Sequence, residues 1–182
     1  VEAQLFCAQE TLTSPDCQGI TVLEAKDPYE EAEFAAATIR RLVAEEGYRY
    51  AERDRIEPLI NERTRAIIVT NPGNPTGNVL TRAEMRVLAD IAVEHGLYLI
   101  SDEVYREFTY GEESMASMLE FEHARDNVIV IDSVSKRFSA CGARVGALIS
   151  RNRELMTQVM KLCQTRLCVA TLDQVGAAAL YN

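Results

Sequence analysis

Two short stretches limit what this sequence can fold into. Ala66–Thr70 reads AIIVT and Val128–Asp132 reads VIVID. A strand with one wet face alternates apolar and polar residues. These runs barely alternate, which suits strands covered on both faces, as in a parallel sheet. Thr81–His95 lies between them with helical periodicity, its apolar stripe falling on Met85, Leu88, Ala89, Ile91 and Ala92. Thr81 with Glu84 three residues on is a capping-box pattern, and Gly96 is a stop.

The same alternation continues along the chain. Further strands are expected at Ile20–Glu24, Ile39–Val43, Tyr98–Ser101 and Val145–Ser150. Further helices are expected at Glu2–Leu12, Arg55–Ile60, Glu154–Leu167 and Leu172–Tyr181, the last capped by Thr171. The expectation is an α/β fold: a doubly wound, mostly parallel sheet with helices on both faces and right-handed crossovers. The 182 residues, 47% of them hydrophobic, suffice for one well-cored domain. The first and last residues both read as helix interior, so the expectation is a piece of a longer chain.

Composition narrows the functions. Nineteen basic against 28 acidic residues give a net charge of −9, which argues against nucleic acid as a partner. An anionic ligand would need a local cluster of donors working against the overall field. No apolar run reaches the roughly 18 residues that a membrane span requires, and no signal peptide is expected from Val1–Gln4. Cys7, Cys17, Cys141, Cys163 and Cys168 are odd in number and irregularly spaced, a pattern suited to a reducing cytoplasm. Cys163 and Cys168 have no second pair or nearby histidine to complete a zinc site, and no metal is expected. With only His95 and His123 present, histidine triads are nearly excluded.

Ligands of open α/β sheets bind beyond the carboxyl ends of the strands. Asn71-Pro72-Gly73-Asn74-Pro75-Thr76-Gly77 follows the first apolar run. Asp102-Glu103-Val104-Tyr105 follows the strand at Tyr98–Ser101. Ser133-Val134-Ser135-Lys136 follows VIVID, and Arg144 comes eight residues after the lysine. Singly, each has a plain reading: a Pro/Gly turn, a helix-capping aspartate, a core tyrosine, a solvated lysine or arginine. Together they would bring an amide, a carboxylate, a phenol, two hydroxyls and two cations to one crevice.

That combination resembles the fold type I pyridoxal-phosphate enzymes, in particular the aspartate-aminotransferase-like class I/II aminotransferases. The matching motifs are Asn74-Pro75-Thr76-Gly77, Asp102-x-x-Tyr105, and Ser133-x-Ser135-Lys136 followed by Arg144. The likeness runs from about Pro15 to the C-terminus. It implies that residues 1–182 form the cofactor-binding large domain, without the family's N-terminal segment and C-terminal small domain. Lys136 would form the Schiff base with pyridoxal 5'-phosphate and shuttle the substrate proton. Asp102 would keep the pyridine nitrogen protonated. Asn74 and Tyr105 would hydrogen-bond the ring's phenolic oxygen. Ser133 and Arg144 would bind the phosphate, with Ser135 a further neighbour. The Asn74–Pro75 bond is expected to be cis, and Gly77 and Gly142 to serve backbone geometry.

One position departs from the family's pattern. The family stacks an aromatic on the cofactor two residues after a proline, whereas Tyr29, the candidate here, directly follows Pro28. The implied activity is transfer of an amino group between an amino acid, with aspartate one option, and a 2-oxo acid, in a cytoplasmic homodimer. A carbon–sulfur lyase or a decarboxylase on the same fold would share these residues. So would a cofactor-sensing module fused to a DNA-binding head. The substrate-carboxylate arginine that would separate the enzymes belongs to the small domain. Arg151, Arg153 and Arg166 are expected on the surface around the long helix.

Overall fold

β1 (Ala66–Thr70), β2 (Tyr98–Asp102) and β3 (Val128–Ser133) lie side by side and parallel, in chain order. They belong to a computed structural model that describes residues 51–110, 115–165 and 167–181, all within the unit Tyr50–Asn182. The expected elements at Glu2–Leu12, Ile20–Glu24 and Ile39–Val43, along with Tyr29, lie outside the described residues. Register is in step across the sheet: Thr70 pairs with Asp102, and Asp102 with Ile131. The three strands therefore end almost level, and their exit loops leave from one edge.

α2 (Arg82–Glu94) carries the chain from β1 to β2. Thr81 Oγ1 accepts from the Glu84 amide at 3.2 Å while the Glu84 carboxylate accepts from the Thr81 amide at 2.9 Å, which is the expected capping box. Gly96 ends the helix at φ +62°, and the Leu97 amide donates to Ala92 O at 2.8 Å. The five stripe residues are all buried. Met85, Leu88, Ala89 and Ala92 pack with Ile67, Val69, Leu99, Val128 and Val130, which share one face of the sheet. Met118, Phe121 and Ala124 close this core from the β2–β3 connection. At roughly 1.5–3 kcal/mol for each large side chain removed from water, this layer dominates the stability of the unit.

β4 (Gly146–Ile149) completes the sheet but runs antiparallel to β3. The segment from β3 to β4 holds only the single-turn helix α3 (Val134–Arg137) and a 3-10 turn, with no long helix to carry a parallel crossover, so the chain folds back. The result is an open, mostly parallel α/β sheet with helices, as expected. Strand order is consecutive, so the described strands contain no point at which winding reverses.

β2 and β3 each run one residue longer than expected and β4 is one residue shorter at each end, and three helices also differ. α1 (Arg53–Ile56) starts earlier than Arg55 and passes into a 3-10 turn, Glu57–Leu59, where Pro58 withholds an amide. α4 (Arg153–Thr165) stops before Leu167, which takes φ +64°. α5 (Thr171–Leu180) includes Thr171 as a helical residue. Its cap is Ala170, with no side-chain hydrogen bond, so Thr171 does not cap it.

Candidate active site

The loop leaving β1 is held from inside. Asn71 follows Ile67 and Val69 in strand parity, points into the core, and is fully buried. Its backbone amide donates to Asp102 O at 2.9 Å. Its side-chain Oδ1 accepts from the Leu80 amide at 2.9 Å, and its Nδ2 stands 3.6 Å from Met85 Sδ. One side chain thus closes the loop of eight residues between Asn71 and Leu80 onto the helix behind it. Within the loop, a Cβ on Gly73 would collide with the Asn78 side chain, and Gly77 sits at φ +68°. Asn74–Pro75 is cis, as expected, and so is Asn71–Pro72, which the sequence did not signal. The loop presents Asn74 at the surface, where its Nδ2 donates to Tyr105 Oη at 2.9 Å.

At the end of β2, Asp102 is partly buried and its Oδ1 accepts from the Val104 amide at 3.2 Å. Among the described residues it has no cationic partner. Glu103 continues the inward parity of Leu99 and Ser101 and is fully buried. Its carboxylate accepts from Ser101 Oγ at 3.1 Å, Ser117 Oγ at 2.8 Å and the Met118 amide at 2.8 Å. This binds the turn carrying Tyr105 to the segment that follows it. The Tyr105 ring meets Phe108 edge-on at 5.7 Å.

At the end of β3, Ser133 caps α3: its Oγ accepts from the Ser135 amide at 3.1 Å and lies 2.9 Å from Ser135 Oγ and 3.1 Å from Val145 O. One turn later Lys136 is exposed, in no ion pair or hydrogen bond among the described residues, with Nζ 5.5 Å from the Tyr105 ring centroid. Arg144 takes a left-handed backbone, φ 55°, and its Nη1 donates to Cys141 O at 3.1 Å. The Cys141 thiol donates to Ser135 O at 3.2 Å, so the loop folds against α3. Gly142 has neither a positive φ nor a neighbour that a Cβ would meet. Its expected role in backbone geometry is therefore not seen, and Arg144 itself adopts the unusual conformation.

The structure gathers Asn74, Tyr105 and Lys136 into contact. Sheet register sets Asp102 and Ser133 at the same edge. Ser135 is tied to Ser133, and Arg144 borders the Val145 carbonyl that Ser133 approaches. Tyr29 lies outside the described residues. Asn71, Glu103 and the ion pair of Asp132 with Arg137 went unforeseen. Among the described residues no group of three or more His, Cys, Asp or Glu could hold a metal ion. Arg151 is ion-paired with Glu122, while Arg153 lies exposed on α4.

The donor set suits an anionic pyridine aldehyde. An unengaged primary amine can take an aldehyde. A carboxylate without a cation can hold a ring N–H. A coupled amide and phenol can face a ring oxygen. Two hydroxyls and a guanidinium can meet a phosphate.

Residues 36–182 match the model of the family Aminotransferase class I and II, and the chain belongs to that family, whose members depend on pyridoxal phosphate. Similar curated proteins include an aromatic-amino-acid aminotransferase of Thermococcus litoralis, 34% identical over 125 residues, or 69% of this chain and 32% of the relative. An aspartate aminotransferase of Pyrococcus abyssi is 33% identical over the same shares. Among solved structures, the aromatic aminotransferase from Pyrococcus horikoshii superposes with a TM-score of 0.67 at 32% identity. That match covers 75% of this chain and 36% of that one. The chain spans about a third of the length of these relatives.

Proposed function

We propose that the full-length protein is a pyridoxal-phosphate-dependent aminotransferase, exchanging an amino group between an amino acid, aspartate among the options, and a 2-oxo acid. The observation that carries this reading is the placement of Lys136 Nζ over the Tyr105 ring while Asn74 holds the Tyr105 hydroxyl. Residues 1–182 are its large domain, and a further domain supplies the grip on the substrate carboxylate. Exposed, unpaired Cys141, Cys163 and Cys168 support a reducing, cytoplasmic setting. No helix among the described residues is long and apolar enough to cross a membrane, and the net charge of −9 argues against nucleic acid as a partner. The assembly is a homodimer.

Bound pyridoxal phosphate supplies the electron sink for the carbanion. Lys136 Nζ anchors the cofactor and moves the proton at the substrate Cα. Asp102 would hold the proton on the pyridine nitrogen, and its partial burial at the end of β2 would strengthen that charge pair. The Asn74 side-chain amide and the Tyr105 hydroxyl would hydrogen-bond the ring oxygen. Arg144, with donors beyond the one spent on Cys141 O, binds the phosphate together with Ser133 and, beside it, Ser135. Tyr29 is the candidate to stack on the ring.

The test is the full-length gene product with pyridoxal phosphate, several donor amino acids and 2-oxoglutarate. Amino transfer is expected, and borohydride should fix the cofactor on Lys136 in a peptide map. A label on Lys26 or Lys161 would overturn the assignment of the lysine. Release of carbon dioxide or of a thiol in place of amino transfer would overturn the reaction.

A further inference from the structure

Arg137 directly follows Lys136, and its side chain is only 14% exposed. Its Nη2 lies 3.4 Å from Asp132 Oδ2 and 3.3 Å from Glu107 Oε1. Asp132 is the last residue but one of β3, and its side chain is 8% exposed. Glu107 lies on the loop of Tyr105 and is 58% exposed. The guanidinium carbon also stands 5.9 Å from the Phe138 ring and 5.4 Å from the Tyr181 ring, and these two rings meet edge-on at 5.1 Å. Nε and Nη2 are buried yet make no directional hydrogen bond. Charge and ring stacking hold the group, rather than a fork-to-fork match.

We propose that Arg137 is a positioning residue: a clamp that ties the Lys136 turn to the Tyr105 loop through Asp132 and Glu107, and so fixes Lys136 Nζ against the Tyr105 ring. α3 is a single turn, too short to hold its own shape, and its cap secures only the end at Ser133. The side that carries Lys136 needs a tether. Arg137 reaches three elements at once: the end of β3, the β2 exit loop and the end of α5. An apolar side chain could pack on Phe138 and Tyr181 without the cost of removing a cation from water. The charge is used where it meets Glu107, beside Tyr105.

This inference rests on Lys136 as the cofactor lysine, and the experiment separates the two. Full-length protein loaded with pyridoxal phosphate is first reduced and mapped. A label away from Lys136 overturns both readings. With the label on Lys136, the pH midpoint of the visible absorbance of the Lys136-bound cofactor is compared in wild type, R137M, R137K and E107Q. A charge acting only through space moves R137M and E107Q in opposite directions, because one loses a cation and the other an anion, and leaves R137K unmoved. Loss of a clamp moves all three the same way, by roughly half a unit in R137M and less in E107Q, whose carboxylate is the more exposed. R137K also shifts, since an ammonium keeps the charge but not the planar, stacking group. Opposite shifts, or no shift, overturn the clamp. Should R137M fail to fold, R137K and E107Q decide by the same rule.

Discussion

The loop from β1 to α2 and the loop from α3 to β4 both end at the candidate site, and they are anchored in different ways. The first is closed by the buried amide of Asn71, which bonds Leu80 and packs on Met85, so the orientation of Asn74 is built into the core. The second is tied at its base by Ser133 Oγ on Val145 O, which is partly buried. Beyond that it is closed by Cys141 Sγ on Ser135 O and by Arg144 on Cys141 O, both exposed. The side proposed to face the cofactor ring is therefore set by folding. On the side proposed for the phosphate the guanidinium keeps donors in reserve, and the anion itself would complete the order. Pre-organisation of this kind is where positioning contributes most to rate.

The sharpest way to break that contrast is Asp102→Asn in the full-length protein. It removes the carboxylate charge on the ring side and keeps the shape and the acceptor for the Val104 amide. Amino transfer should fall by several powers of ten, each about 1.4 kcal/mol of barrier, with the urea midpoint of the cofactor-free protein unchanged. Near-normal turnover would make Asp102 a turn-forming residue only.

Arg144→Ala tests the other side. Hydrogen bonds to charged groups contribute about 1.5–3 kcal/mol, so the Kd for pyridoxal phosphate should rise on the order of tenfold to a hundredfold. Because Arg144 is exposed, the stability of the cofactor-free protein should barely move. Equal losses of stability and affinity would mean that this loop is as dependent on its own side chain as the first. Asn71→Ala is the mirror experiment. It leaves the buried Leu80 amide without an acceptor, a cost of about 1–3 kcal/mol, read as a lower urea midpoint in the cofactor-free protein. An unchanged midpoint would show that the Asn71 amide does not anchor the loop.

How far the sequence reveals this arrangement depends on where each signal lies. β1 and β3 were legible because apolar β-branched runs carry their own evidence, and α2 because Thr81, Glu84 and Gly96 mark both ends. The site motifs were legible because they sit at strand ends in a recognisable order. Asn71 and Glu103 sit inside those motifs, yet nothing next to them in the sequence marks their role. Their partners, Leu80 and Met118, lie nine and fifteen residues away, although strand parity with Val69 and Ser101 would have aimed both side chains inward. The direction of β4 was not legible, since pairing is decided across strands. Nor was the cluster around Arg137, whose partners come from three separate elements.

The smallest effect concerns the support behind the ring-facing loop. Arg82, at the start of α2, donates to Glu120 at 2.7 Å, and the Ser117 amide donates to the same carboxylate at 2.8 Å. The Arg82 hydrogen bond, and after it the Ser117 amide, hold the Glu120 carboxyl below its ordinary value of 4.5. A carboxyl lowered on folding adds stability that is fully present above its unfolded value and disappears as the pH falls through the folded one. The contribution should therefore be intact at pH 7 and fade below about pH 4.5. Both side chains are substantially exposed, so its size should be that of a surface pair, about 0.2–1 kcal/mol and reduced by salt. Urea unfolding of wild type and Arg82→Met at pH 7 and at pH 3 measures it. The difference between the two proteins should be present at pH 7 and shrink at pH 3. A difference that persists unchanged in acid would assign the effect to the packing of the Arg82 side chain on Phe121, 5.3 Å from its ring, rather than to the ion pair.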